Sequence, residues 1–139
     1  MTLEAACLEL AKYAFHKNPT GGDRAFYKLL EQSSLHTHTE NGDLTSMIVD
    51  THFQVNFQGQ TVPMSGIGYV ASYPEFRGNG AASQLMTDIL RENYQNETIF
   101  SYLAPFSYGF YSKFGYSYVF NQKHYEINAV DFPVGAKTD

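Results

Sequence analysis

Charge is scarce in this chain of 139 residues, and positive charge is scarcest: charged residues make up 17%, with nine Lys and Arg against fourteen Asp and Glu, a net charge of −5. A nucleic-acid surface needs clustered Lys and Arg to displace counterions, so that class of partner is excluded. A single cysteine, Cys7, rules out an intrachain disulfide and provides no metal-ligand spacing. It sits in an apolar helical run, the setting of a buried structural thiol. No apolar stretch approaches the roughly 18–20 residues of a membrane span. Met1–Leu10 lacks a basic segment and carries two Glu, unlike a signal peptide. A cytoplasmic protein without a membrane partner is expected.

What the chain does have is apolar and aromatic: 43% hydrophobic residues, with eleven Phe and eleven Tyr but no Trp. That composition belongs to a globular chain, and the length suits one domain over residues 1–139. Tyr at this frequency suits cavity walls, being apolar in the ring and polar at the tip. A mildly acidic balance favours cationic small molecules as ligands.

Hydrophobic periodicity divides the chain. Leu3–Phe15 reads as a helix capped by Thr2, and Arg24–Gln32 as a second capped by Asp23. From Leu35 the period becomes two. Leu35–Thr39 and Leu44–Phe57 form a hairpin around Asn41-Gly42, and Gln58-Gly59-Gln60 turns into a third strand, Thr61–Ser72. The Met64–Gly68 stretch, with two glycines, predicts a bend or bulge there. Gly80–Tyr94 is helical, Thr98–Ala104 a strand, Ser107–Phe114 a short helix, and Tyr116–Phe120 and His124–Asn128 two final strands. The order ααβββαβαββ is that of an α+β domain with a mixed sheet.

The most informative stretch runs from Gly66 to Ser83, where a strand ends, a loop carries Arg77-Gly78-Asn79-Gly80, and a helix begins at once. Glycines there remove side chains that would block an anion, backbone N–H groups converge, and the helix N-terminus adds partial positive charge. These are the properties of a pyrophosphate cradle. A P-loop is excluded because no Gly-Lys-Ser/Thr occurs. The dinucleotide fingerprint is excluded because Ser83 stands where its third glycine belongs and no acidic residue ends a following strand about 20 residues on.

The spacing of Val70, Pro74, Arg77, Gly78, Gly80, Ser83, Leu85 and Met86 resembles motif A of the GNAT acetyltransferases. Downstream, Phe110-Tyr111-Ser112-Lys113-Phe114-Gly115-Tyr116 resembles their motif B. The Ile67–Ala81 stretch and the lead-in Leu103-Ala104-Pro105-Phe106-Ser107 are similar to the N-terminal acetyltransferase domain of the enhanced-intracellular-survival (Eis) family. The similarity is strong over Leu44–Tyr116 and faint on the flanks.

The resemblance implies a GNAT fold, a splayed and mostly antiparallel mixed sheet flanked by helices. It implies direct transfer of acetyl from acetyl-CoA to a primary amine of an aminoglycoside, polyamine or lysine-like compound, with no metal. Val70, Ala71 and Ser72 would pair with the pantetheine arm, and an amide near Val70 would polarise the thioester carbonyl. Arg77, Gly78, Asn79, Gly80, Ala81, Ala82 and Ser83 would hold the pyrophosphate, and Phe106 and Ser107 would touch the cofactor. Tyr111 would protonate the departing thiolate, a task open to a phenol with a reference pKa of about 10.

The chain departs from that family at both ends: no strand precedes Leu3–Phe15, and the C-terminal carboxylate that serves as base in full-length members has no counterpart before Asp139. A fragment, a short relative, and a homo-oligomer that completes its site by pairing are all compatible with this. His52 is the substitute base selected, with Asp50, Glu40, His36 and His38 as others. His36 and His38 face one side of a strand but lack a third ligand nearby, so no metal is assigned. The competing functional reading is a non-catalytic acyl-CoA-binding module that keeps the phosphate loop without a working base.

Overall fold

The computed structural model describes residues 1–135. Helices α1 (Leu3–Phe15) and α2 (Gly22–Leu30) precede strands β1 (Ser33–Glu40), β2 (Asp43–Phe57) and β3 (Gln60–Ser72); α3 (Ala81–Gln95), β4 (Phe100–Leu103) and α4 (Tyr108–Ser112) follow. The four strands form one sheet in the order β1-β2-β3-β4, antiparallel except for the parallel pair β3–β4. This is the mixed sheet expected of an α+β domain.

Local chemistry accounts for most boundaries. Thr2 caps α1, its hydroxyl accepting from the Ala5 amide at 3.2 Å. Gly21 and Gly22 adopt φ of 81° and 78°, so α2 begins before the predicted Asp23 cap, and Asp23 instead pairs with Lys12 at 3.0 Å. It ends early because the Ser33 hydroxyl donates to the Leu29 carbonyl at 2.8 Å and turns the chain into β1. Asn41 and Gly42, with φ of 53° and 90°, make the tight turn the dipeptide predicts.

The sheet separates two apolar cores. On one face α1 and α2 bury Cys7, Leu10, Ala11 and Phe26 against Met47 and Ala71; on the other, α3 and α4 bury Leu85, Met86, Ile89 and Tyr111 against Ile48 and Ile67. Residues 45 to 51 of β2 are buried on both faces, which makes it the central strand. The predicted irregularity of β3 lies slightly later than Met64–Gly68. Val49 pairs with Gly68 but Met47 with Ala71, so Tyr69 and Val70 together oppose Ile48. Tyr69 takes φ of 48° in this bulge, which turns its ring onto Phe15 and Phe26 while Val70 stays in the α3 core.

Tyr116–Phe120 and His124–Asn128 are not strands, contrary to the expectation; that part of the chain is irregular apart from a 3-10 turn at Ala129–Asp131. A strand requires a ladder partner, and this segment makes side-chain contacts instead: Phe120 lies 6.4 Å from Tyr102 of β4, Tyr118 stacks on Tyr108 of α4 at 4.7 Å, and the Tyr116 hydroxyl bonds that of Ser101 on β4. A cavity of about 760 Å³ separates it from β4. No helix among the described residues is long and apolar enough to cross a membrane.

Because Ile48 is fully buried beneath α3, truncation would leave a void that the rigid sheet cannot close. Ile48→Ala should cost about 2–5 kcal/mol in urea denaturation, with the native circular dichroism spectrum retained at low denaturant.

Candidate functional site

A 3-10 turn at Pro74–Phe76 ends on a bond from the Arg77 amide to the Pro74 carbonyl, 3.2 Å, and releases the chain into the glycine loop. Gly78 and Gly80 both adopt φ of 85°, and a Cβ at either would meet open space. Helix α3 then starts from Gly80, with no side-chain cap and no acidic residue in its first turn. Among the described residues no acceptor takes the amides of Gly78, Asn79, Gly80, Ala82 or Ser83. Ala81 differs from the expectation, because its amide is already bonded to Asn79 Oδ1 at 3.0 Å. Asn79 Nδ2 also donates to Glu40 Oε1 at 3.0 Å, which pegs the loop to the end of β1. Glu40, one of the substitute bases considered, thus holds the loop. A diphosphate fits this arrangement: five unclaimed amides, a helix N-terminus and the exposed Arg77 surround open space.

Just upstream, β3 loses one neighbour. Its parallel ladder with β4 spans only Met64–Ile67 against Phe100–Leu103, after which Ala104-Pro105 leads away. Gly68–Ser72 keeps β2 on one side and, among the described residues, has no strand on the other. Val70, Ala71 and Ser72 therefore lie on a free edge that an extended ligand can pair with; the Ser72 hydroxyl itself bonds Ser46 at 2.8 Å. On the α1 face of the bulge lies a cavity of about 250 Å³ lined by Phe15, Lys17, Gly68, Tyr69 and the turn after α1.

Helix α4 brings aromatic groups to the same edge. Ser107 caps it, accepting from the Phe110 amide at 3.3 Å, so its hydroxyl oxygen already serves the helix. Phe106 is exposed and packs edge-on to Tyr111 at 5.3 Å. Tyr111 is 2% exposed, and its hydroxyl has no hydrogen-bond partner among the described residues. Burial, with Tyr116 nearby, pushes its phenol up to about 12. It is thus a neutral donor throughout the physiological range. Lys113, absent from the sequence-based expectation, places Nζ 3.1 Å from Ser83 Oγ on the first turn of α3. Its position directly after the Phe-Tyr-Ser run was the available signal, but only the packing of α4 against α3 gives it meaning.

The other predicted groups are dispersed. His52 is exposed on β2, its Nε2 3.0 Å from Ser34 Oγ, and it pairs in register with Ser65, about 10 Å back along β3 from the free edge. The structure does not bring it beside Tyr111. Asp50 is buried and accepts from the Ser65 hydroxyl at 2.6 Å; burial pushes its carboxyl above the ordinary range. His36 Nε2 stands 3.5 Å from Glu92, whereas His38 Nδ1 contacts the Thr45 hydroxyl at 2.8 Å. The two imidazoles thus face different groups, His36 Nε2 near Glu92 but without a hydrogen bond and His38 bonded to Thr45, and no group of three potential ligands forms a metal site among the described residues. Cys7 is buried and its thiol is pushed up to about 11, as befits a structural cysteine.

A family model described as an acetyltransferase (GNAT) domain matches residues 3–119. No match was found among curated proteins. Among solved structures, a conserved Enterococcus faecalis protein described as a probable N-acyltransferase is similar at 43% identity and a TM-score of 0.76, over 81% of this chain. The present chain spans only 29% of that protein's length. A predicted acetyltransferase from Clostridium acetobutylicum, solved with acetyl-CoA, aligns over 92% of this chain and 91% of its own with a TM-score of 0.70 and 15% identity. Eis1 from Mycobacterium abscessus aligns over 81% of this chain and 28% of its own, with a TM-score of 0.69 and 18% identity. The last two likenesses are of fold.

Burial raises the Tyr111 pKa above that of the unfolded chain, so the stability it contributes is complete below about pH 10 and is lost as pH rises towards about 12. Subtracting the ultraviolet phenolate titration of Tyr111→Phe from that of the native protein should leave no ionisation below about pH 10. Phenolate appearing at neutral pH in that difference would show that Tyr111 is not a neutral donor.

Proposed function

We propose, from the premise that the chain belongs to the GNAT acetyltransferase family, that it transfers acetyl from acetyl-CoA to a primary amine of a small molecule by direct transfer in a ternary complex. The observation that carries this reading is the union of two features at one end of β3. The free edge Gly68–Ser72 and the unclaimed amides of Gly78, Asn79, Gly80, Ala82 and Ser83 are joined by one short turn, so a ligand with a diphosphate and an extended arm can engage both. Acetyl-CoA has that form, and it supplies an acyl carbon already activated as a thioester.

The residues divide the work. The loop amides and Arg77 bind the diphosphate. Val70, Ala71 and Ser72 pair with the arm, and a bulge amide near Val70 is oriented toward the thioester oxygen. As the new C–N bond forms and the C–S bond breaks, the Tyr111 phenol donates to the sulfur. With its pKa near 12 against about 8.5 for an ordinary thiol, complete proton transfer is uphill, so Tyr111 acts chiefly by hydrogen bonding. Phe106 covers the arm from the α4 side.

The acceptor enters from the opposite face, through the 250 Å³ cavity over the bulge. The net charge of −5 favours a polycationic amine such as an aminoglycoside, a polyamine or a lysine-like compound. Among that cavity's lining residues only Lys17 and Tyr69 carry titratable groups, so the amine's proton leaves by a group beyond its walls.

The test is release of free thiol from acetyl-CoA with a panel of aminoglycosides, polyamines and lysine derivatives. Turnover is expected with at least one class, and Tyr111→Phe should lower kcat by about 10²-fold. Coenzyme A should also raise the melting temperature, and Gly80→Asp should abolish that rise by placing a carboxylate in the cradle. Stabilisation by coenzyme A without turnover across the panel would contradict catalysis and indicate an acyl-CoA-binding module.

A further inference from the structure

Lys113 follows α4 directly and carries its ammonium to the first turn of α3. There Nζ donates to Ser83 Oγ at 3.1 Å and lies 4.6 Å from the centre of the Phe110 ring and 5.2 Å from that of Phe114. These contacts hold the exposed ammonium against the first turn of α3. No carboxylate among the described residues pairs with it. A cation at a helix N-terminus opposes the helix dipole, and α3 has no acid in its first turn to offset it. In the free protein, therefore, like charge meets like: the Lys113 ammonium sits against the positive end of α3, next in sequence to a loop that carries Arg77 and open glycine backbone. An anion removes that conflict.

We propose that Lys113 is a direct contact for the diphosphate of the CoA donor, closing the cradle from the α4 side. This rests on the reading that residues 77–83 hold that diphosphate. The diphosphate is favoured over the adenosine 3′-phosphate because Ser83 belongs to the first turn of α3, beside the unclaimed amides of Ala82 and Ser83 themselves. Displaced from the Ser83 hydroxyl, the ammonium gains a charge-assisted bond to a phosphate oxygen while staying over the faces of the two rings. The sequence separation is two residues from Tyr111, so one short element grips the donor near its anionic part and presents the phenol to its sulfur.

The test is calorimetric binding of CoA, dephospho-CoA and pantetheine to the native chain and to Lys113→Gln and Lys113→Arg. Lys113→Gln should weaken CoA and dephospho-CoA alike by about tenfold, leave pantetheine unchanged, and Lys113→Arg should recover most of the loss. Three results would overturn the inference: an unchanged Kd for CoA in Lys113→Gln, equal weakening of all three ligands, or a loss confined to CoA, which would assign Lys113 to the 3′-phosphate. If Lys113→Gln is without effect while Gly80→Asp loses CoA, the lysine contact fails and the phosphate loop stands. If Gly80→Asp also binds CoA normally, the underlying site fails with it.

Discussion

Everything in this molecule's functional geometry depends on a ladder that stops early. β3 and β4 run parallel and pair over only four residues of each strand, while β3 continues for five more without a neighbouring strand on that side among the described residues. A central strand with an unpaired stretch is costly in a closed fold and invites another backbone or an extended ligand to complete it. Here the gap is not at random. It opens beside the bulge of Tyr69 and Val70, and the strand that borders it feeds through one turn into a glycine loop and a helix whose Ala82 and Ser83 amides are unclaimed.

The rest of the fold holds that gap open. β2, buried on both faces, anchors β3 along its closed side, and the two apolar cores above and below the sheet prevent it from collapsing across to β4. Pro105, with no N–H to offer a ladder, lies where the chain leaves β4. The glycine loop is held from outside by Asn79, which spans from the Ala81 amide to Glu40 on β1. That bond makes a polar surface residue at the end of the first strand part of the loop's scaffold. Tyr111, wedged among Phe106, Phe110 and Tyr116, fixes the α4 side of the gap.

Much of this could be read from residue order. Asn41-Gly42, Gln58-Gly59 and Arg77-Gly78-Asn79-Gly80 announce their turns because positive φ is required there, and the periodicity of α1 and α3 marks their buried sides. What escaped has a shared physical cause: it depends on neighbours distant in sequence. Tyr116–Phe120 has the composition of a strand, but a strand exists only with a partner, and β4 meets it through side chains, the Tyr102–Phe120 rings and the Ser101–Tyr116 hydroxyls, rather than through a backbone ladder. The roles of Glu40 and Lys113 come from contacts 39 and 30 residues away. His52 has the right chemistry for a base, yet its position one strand across and several residues back follows from register, which composition does not reveal.

The central claim is that backbone amides on two consecutive segments, the free edge of β3 and the loop into α3, receive one extended anionic ligand. Amide hydrogen exchange of the native chain with and without coenzyme A tests this at the groups concerned. Exchange at residues 68–72 and 78–83 should slow together at saturating ligand, while the Asn41-Gly42 turn and the α2 face remain unchanged. Protection elsewhere, or none at either segment under conditions where coenzyme A binds, would contradict the account.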